Sequence, residues 1–125
     1  MDKAVPDPLT DKIIGCAIEV HKRLGPGLLE SVYESALCIE MEHHQLTFER
    51  QVQLPLTYRN CPIGELRIDI VVEKSVILEL KSVERIDPLF EAQLLTYQRL
   101  SGVRTGLLIN FNSRLLHQGI KGLVV

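Results

Sequence analysis

The sequence predicts an α/β domain built on one mixed sheet with helices to cover it. Three observations predict it. Apolar residues recur at helical spacing up to His44 and again after Asp87. Between Leu46 and Lys81 the period drops to two. The resulting order is helix, helix, three strands, helix, strand and a last, weaker strand. The chain has 125 residues, of which 46% are apolar and 24% charged. That suffices for one domain over residues 1–125 with a core that needs no staples.

Residues 1–9, polar and proline-bearing, are expected to be flexible, with no apolar core like that of a signal peptide. Thr10 is placed to cap a helix from about Asp11 to Leu24, whose Ile13, Ile14, Ala17, Val20 and Leu24 fall on one stripe. Gly25 ends it and "GPG" turns the chain. A second helix is predicted from about Leu28 to His44, with Leu29, Val32, Tyr33, Ala36 and Leu37 as its buried face. Glu30 stands about 60° from Tyr33 around that helix, at the edge of the stripe. An acid there also suits the positive end of the helix dipole, which explains Glu30 without any function.

From Leu46 to Tyr58 apolar residues hold one parity, and Pro55 marks an edge strand or a bulge. "RNCPIG" reads as a turn. In "ELRIDIVV", Leu66, Ile68, Ile70 and Val72 face one way; Glu65, Arg67, Asp69 and Val71 face the other. After a turn at Glu73–Ser75, Val76, Leu78 and Leu80 form one face of the next strand, and Ile77, Glu79 and Lys81 the other. Opposed residues of a hairpin share a face, so joining the apolar faces sets Val72 against Val76 and Ile70 against Leu78. That register brings Asp69 opposite Glu79, with Lys81 two residues further on. Asp87 and Pro88 are a good start for a third helix, which Gly102 stops; Gln93 and Tyr97 share one of its faces. "GLLINF" and "GIKGLVV" supply the last two strands, the first reached by a crossover through that helix.

Composition excludes several classes. Cys16, Cys38 and Cys61 are odd in number and have no CxxC pair, so they read as small buried thiols rather than a disulfide framework or zinc knuckle. The four histidines lack metal-ligand spacing, and His43 and His44 are expected to be solvated at a helix end. No run could span a membrane, which points to the cytoplasm. A net charge of −2 and a pI of about 6.1 argue mildly against tight, nonspecific nucleic-acid binding.

Asp69, Glu79 and Lys81 carry the chemistry. Two opposed carboxylates repel, so either one is protonated or a cation sits between them. Oxygen-only ligands suit Mg²⁺, with Mn²⁺ as an alternative, and the backbone carbonyl of Leu80 is a further candidate ligand. Lys81 would orient a water or stabilise charge on a phosphate. The plain alternative is an ordinary Glu–Lys pair on a solvated sheet face.

The stretch "GPGLLESVYESAL" resembles the signature of the GxxExxY proteins, with Gly27, Glu30 and Tyr33 at the defining spacing. "LRIDIVV", "VILELKSVE", "EAQLLTYQRLSG" and "GLLINF" resemble the rest of that family in order, from about Ile13 to Val125. The family is assigned to the PD-(D/E)XK nuclease superfamily. The resemblance implies a restriction-endonuclease-like core of helix, three-strand antiparallel meander, helix and strand, here with an extra N-terminal helix and a weak C-terminal strand. It implies that Asp69 and Glu79 bind metal, that Lys81 is catalytic, and that Glu30 is the helix-borne acid completing the site. Gln93, Tyr97 and Arg67 match polar positions bordering it, and Tyr33 belongs with these as a substrate-binding or supporting residue. Ile68, not proline, precedes Asp69. The expected activity is Mg²⁺-dependent hydrolysis of phosphodiesters, DNA before RNA. The alternative is a non-catalytic binding or regulatory protein on the same fold. A chain this small has little surface to grip a duplex, so either case invites a homodimer or a larger partner.

Overall fold

A computed structural model describes residues 7–125. The sheet has five strands in the order β1 (Phe48–Tyr58), β2 (Cys61–Val72), β3 (Val76–Lys81), β4 (Thr105–Asn110), β5 (Ile120–Val124). Only β3 and β4 run parallel; the other neighbours are antiparallel. Helices α1 (Pro8–Leu24) and α2 (Glu30–His43) pack on one face. There Ile13, Val20, Leu37 and Met41 meet Ile70, Leu78, Leu80 and Ile109. Helix α3 (Pro88–Ser101) covers the other face, with Leu94 against Ile77, Leu108 and Leu123. The fold is α/β, consistent with a restriction-endonuclease-like core.

Several boundaries differ from expectation. Helix α1 begins at Pro8, capped by Asp7 rather than Thr10: the Asp7 carboxylate accepts from the Thr10 amide (3.2 Å) and hydroxyl (2.7 Å). The aspartate–proline pair that opens α3 also opens α1, because proline has no amide to satisfy and its φ suits a first turn. Of the stretch expected to be flexible, Pro8 and Leu9 are therefore helical; residues 1–6 lie outside the described residues. The turn "RNCPIG" shrinks to Arg59 and Asn60, both at positive φ (51° and 67°), a two-residue reversal that matches strand twist. Cys61 starts β2 and is exposed, contrary to the buried thiol expected; Cys16 and Cys38 are buried, and all three are free. Pro55 lies on edge strand β1, and the register shift falls just after it, between Leu56 and Thr57. A short 3₁₀ turn, Leu116–Gly119, was not anticipated.

The buried face of α2 is rotated from the predicted one. Leu29 is 73% exposed and Val32 is also exposed, while Tyr33, Glu34, Leu37, Cys38 and Met41 are inside. The cause is Tyr33. Its ring stacks on Phe111, with centroids 4.5 Å apart and 7° between the planes. Its hydroxyl donates to the Gly25 carbonyl and accepts from the Leu28 amide. One fixed residue sets the rotation of the whole helix, and its neighbours follow at about 100° per step.

A second buried polar residue ties β4 and β5 to α3. Gln98 is fully buried, and its amide donates to the carbonyls of Arg104 (2.8 Å) and Leu123 (3.0 Å). A Cβ at Gly106 would stand 2.7 Å from Gln98 Oε1, and those two bonds keep the amide from moving aside. Gly106→Ala should therefore cost about 1–3 kcal/mol, read as a lower urea midpoint with an unchanged slope.

Candidate metal and phosphodiester site

The hairpin of β2 and β3 pairs Val72 with Val76, Val71 with Ile77 and Ile70 with Leu78, and there the ladder stops. The next residues are Asp69 and Glu79, and side chains take over from backbone. The Asp69 amide donates to Glu79 Oε2 (3.1 Å), and the Leu80 amide donates to Asp69 Oδ2 (2.8 Å). On the other side of β2, Asp69 and Gln51 drop out of the β1 register between Arg50↔Ile70 and Val52↔Ile68. Gln51 has φ 50°, a left-handed backbone inside a strand. Face alternation breaks at the same place: Ile70 lies in the α1–α2 core, whereas Ile68 packs with Val71 and Ile77 on the α3 side. The expectation that Ile68 shares a face with Ile70 fails because the strand is irregular at Asp69.

Glu79 is only 6% exposed. Burial, then the adjacent Asp69 carboxylate, pushes its carboxyl up to about 8. Asp69 is raised as well, by burial first, against the pull of the Leu80 amide; the charges of Glu34 and Glu30 add to the rise. Each acid uses one oxygen in the interlock, which leaves Asp69 Oδ1 and Glu79 Oε1. Within a strand, a residue's N–H and C=O point to the same side. Since the Leu80 N–H turns to Asp69, the Leu80 carbonyl turns to that side too. Two carboxylate oxygens and a carbonyl are hard donors that fit Mg²⁺ or Mn²⁺, which bind through one or two carboxylates and keep waters. Among the described residues no three His, Cys, Asp or Glu side chains gather closely enough to hold a metal. Glu30 is thus not drawn in as a third protein ligand. It is exposed, at the first turn of a helix on the opposite sheet face, though its charge is felt at both acids.

Lys81 does not ion-pair with either acid. Its Nζ lies 4.3 Å from the centre of the Phe90 ring, on α3, a cation–π contact that aims the ammonium from the far side of the site. Its charge still lowers both carboxyls. Tyr97 borders the acids: burial, then Glu79 and Asp69, raise its phenol. Gln93, on α3, and Arg67, opposite Gln53 in β1, are both exposed. Of the two roles expected of Tyr33, substrate-binding or supporting, its position matches the supporting one: fully buried, with its hydroxyl engaged by the loop before α2, it holds the approach to Glu30.

Sequence reasoning missed Glu34, Arg50 and Gln51. Glu34 is 8% exposed and accepts from Arg50 Nε (3.0 Å) and Gln51 Nε2 (2.9 Å). Adjacent strand residues should point to opposite faces; the left-handed backbone at Gln51 lets both reach one carboxylate. The one signal in the sequence is Glu34 four residues after Glu30, on the same side of the helix. Ser82 and Asn110 were also missed. Ser82 Oγ donates to the Leu28 carbonyl (2.6 Å), and Asn110 clips Val83 through both its backbone groups (3.0 and 2.9 Å). Together they fix the chain as it leaves Lys81.

A family model described as the PD-(D/E)XK nuclease superfamily matches residues 7–123. No curated protein and no solved structure matches the chain significantly.

The buried acids make a pH prediction for metal-free protein. A carboxyl whose folded pKa lies above its unfolded one holds its proton longer when folded. Its contribution is complete below the ordinary value of 4.5 and is lost as pH rises toward about 8. Urea denaturation in chelator should therefore show stability falling from pH 5 to 8. Glu79→Gln should flatten that fall, and an equal slope in the variant would refute the assignment.

Proposed function

The chain belongs to the PD-(D/E)XK nuclease superfamily, and on that premise we propose that it is a Mg²⁺-dependent nuclease hydrolysing phosphodiester bonds, DNA in preference to RNA. The observation that carries this reading is the interlock of Asp69 and Glu79 at the opened ladder, with one oxygen of each left over and Lys81 alongside. We also place the chain among the GxxExxY proteins, on Gly27, Glu30 and Tyr33.

In this reading Asp69, Glu79 and the Leu80 carbonyl hold the cation. When bound, a divalent ion supplies Lewis acidity at phosphorus and a lowered water pKa. The chain's own residues do the rest. Lys81 stabilises negative charge developing on the phosphate oxygens. Phe90 keeps the ammonium from collapsing onto the carboxylates, where it would neutralise them. Glu30, exposed at the rim, serves as a ligand or hydrogen-bond acceptor through water. Glu34 braces β1 against α2 beside Asp69. Tyr97, Gln93 and Arg67 line the substrate side. A second copy of the chain, or a larger partner, would widen the grip on a duplex, and the reading places the protein in the cytoplasm.

The test incubates purified protein with single-stranded, duplex and branched DNA, and with RNA, in Mg²⁺ or Mn²⁺. Wild type should cut DNA. Asp69→Asn should abolish cleavage together with the rise in Tm that Mn²⁺ gives wild type. Lys81→Ala should keep the Mn²⁺ stabilisation and lose roughly two to three orders of magnitude in rate. Wild type that cuts nothing, or three proteins that cut equally, would leave a binding or regulatory role on the same fold.

Phe90→Leu tests the aim of Lys81 separately. It keeps the apolar bulk and removes the ring face, so the rate should fall by less than in Lys81→Ala with Mn²⁺ stabilisation intact. A rate equal to wild type would show that the ring does not position the lysine.

A further inference from the structure

We propose that the basic cavity behind the glycine–proline turn is an anion site that takes a phosphate group of the nucleic-acid strand, away from the scissile one; this rests on the nuclease reading above. The cavity, about 390 Å³, is walled by His21, Lys22, Gly25, Pro26, Arg114 and His117, with apolar side chains completing it. No carboxylate lines it, although the chain as a whole carries a net charge of −2. Arg23, next along α1, is paired with Glu19 (2.6 Å); among the described residues Lys22 and Arg114 have no such partner. The cavity is anchored by a buried group: His21, 9% exposed, meets the Ser113 carbonyl through Nε2 at 2.7 Å. A carbonyl only accepts, so Nε2 carries the proton.

Position links this cavity to the phosphodiester site. Strands β3 and β4 are parallel, and Lys81 pairs with Asn110, so both strands end together. Ser113 Oγ donates to the Asn110 carbonyl (3.0 Å), and the Ser113 carbonyl holds His21. The Gly25–Leu28 turn touches the cavity at its start and the end of β3 at its finish. Gly25 and Pro26 face the basic cavity, while Leu28 is fastened to Ser82, the residue after Lys81. A strand with one phosphate at the acids therefore has a charged receptacle for another phosphate across a turn pinned by Tyr33 and Ser82. Lys22 and Arg114 supply mobile point and fork donors for it.

The probes are inorganic phosphate and a labelled single-stranded oligonucleotide, both in chelator so that nothing is cut. Phosphate should raise the Tm of wild type, and Lys22→Ala/Arg114→Ala, at two exposed positions, should abolish that rise. The double variant should bind the oligonucleotide roughly tenfold more weakly, and its log Kd against log salt should be shallower by roughly 0.7, from one phosphate no longer neutralised. Phosphate binding lost with oligonucleotide binding unchanged would mark the cavity as a site for a free anion and overturn the proposal. No phosphate effect in wild type, or equal salt slopes, would overturn it as well. The cleavage assay on Asp69→Asn reports independently: activity lost there with oligonucleotide binding unchanged in the double variant sinks this inference and leaves the nuclease reading standing. Should wild type cut nothing, oligonucleotide binding equal to that of the double variant would remove both.

Discussion

The reciprocal bond between Asp69 and Glu79 is the constraint on which the rest depends. A sheet ladder that opens midway leaves amides without partners, and each buried orphan costs about 1–3 kcal/mol. Here the amide of Asp69 is answered by Glu79 and the amide of Leu80 by Asp69. The two strands stay joined, but through carboxylates. The same exchange fixes both acids at the mouth of the opening and leaves each with a spare oxygen. The bracing of the strands and the spare oxygens are thus inseparable here: removing either acid takes away an oxygen donor and strands an amide.

The surroundings leave the acids without a direct counter-ion. Arg50, opposite Ile70 in the β1–β2 register, is committed to Glu34. Lys81 shares a sheet face with Glu79, and it is drawn off to the face of Phe90. A buried and a half-buried carboxyl, both with raised pKa and with no direct counter-ion, are costly when both are ionised. A divalent cation relieves that cost, and hard oxygen donors select for it. The opening in the ladder, the bracing of Glu34 and the parking of Lys81 therefore act in one direction.

Much of this was legible in the sequence where periodicity governs. The hairpin register followed from apolar parity alone, and Val72↔Val76 and Ile70↔Leu78 are the pairs observed. The third helix followed from Asp87, Pro88 and Gly102. What was not legible arises where one residue breaks periodicity. Gln51 leaves the β region and sends Arg50 and Gln51 to the same acid. Asp69 interrupts its strand and sends Ile68 to the other core. Tyr33 turns α2 so that Leu29 and Val32, apolar at helical spacing, stand outside. A stripe of apolar residues says which side a helix can bury, and a single pinned hydroxyl decides which it does bury.

That hydroxyl also holds the turn that joins the basic cavity to the end of β3. Gly25 and Gly27 hold positive φ (73° and 101°), so the chain reverses within a few residues between α1 and α2. Tyr33 fastens the turn at both ends, to the Gly25 carbonyl and the Leu28 amide, and Ser82 fastens the Leu28 carbonyl to the end of β3. Basic residues of α1 and of the segment after β4 line a cavity beside this turn. The basic cavity and the end of β3 are thus held to the two ends of one short segment, fixed by three hydrogen bonds.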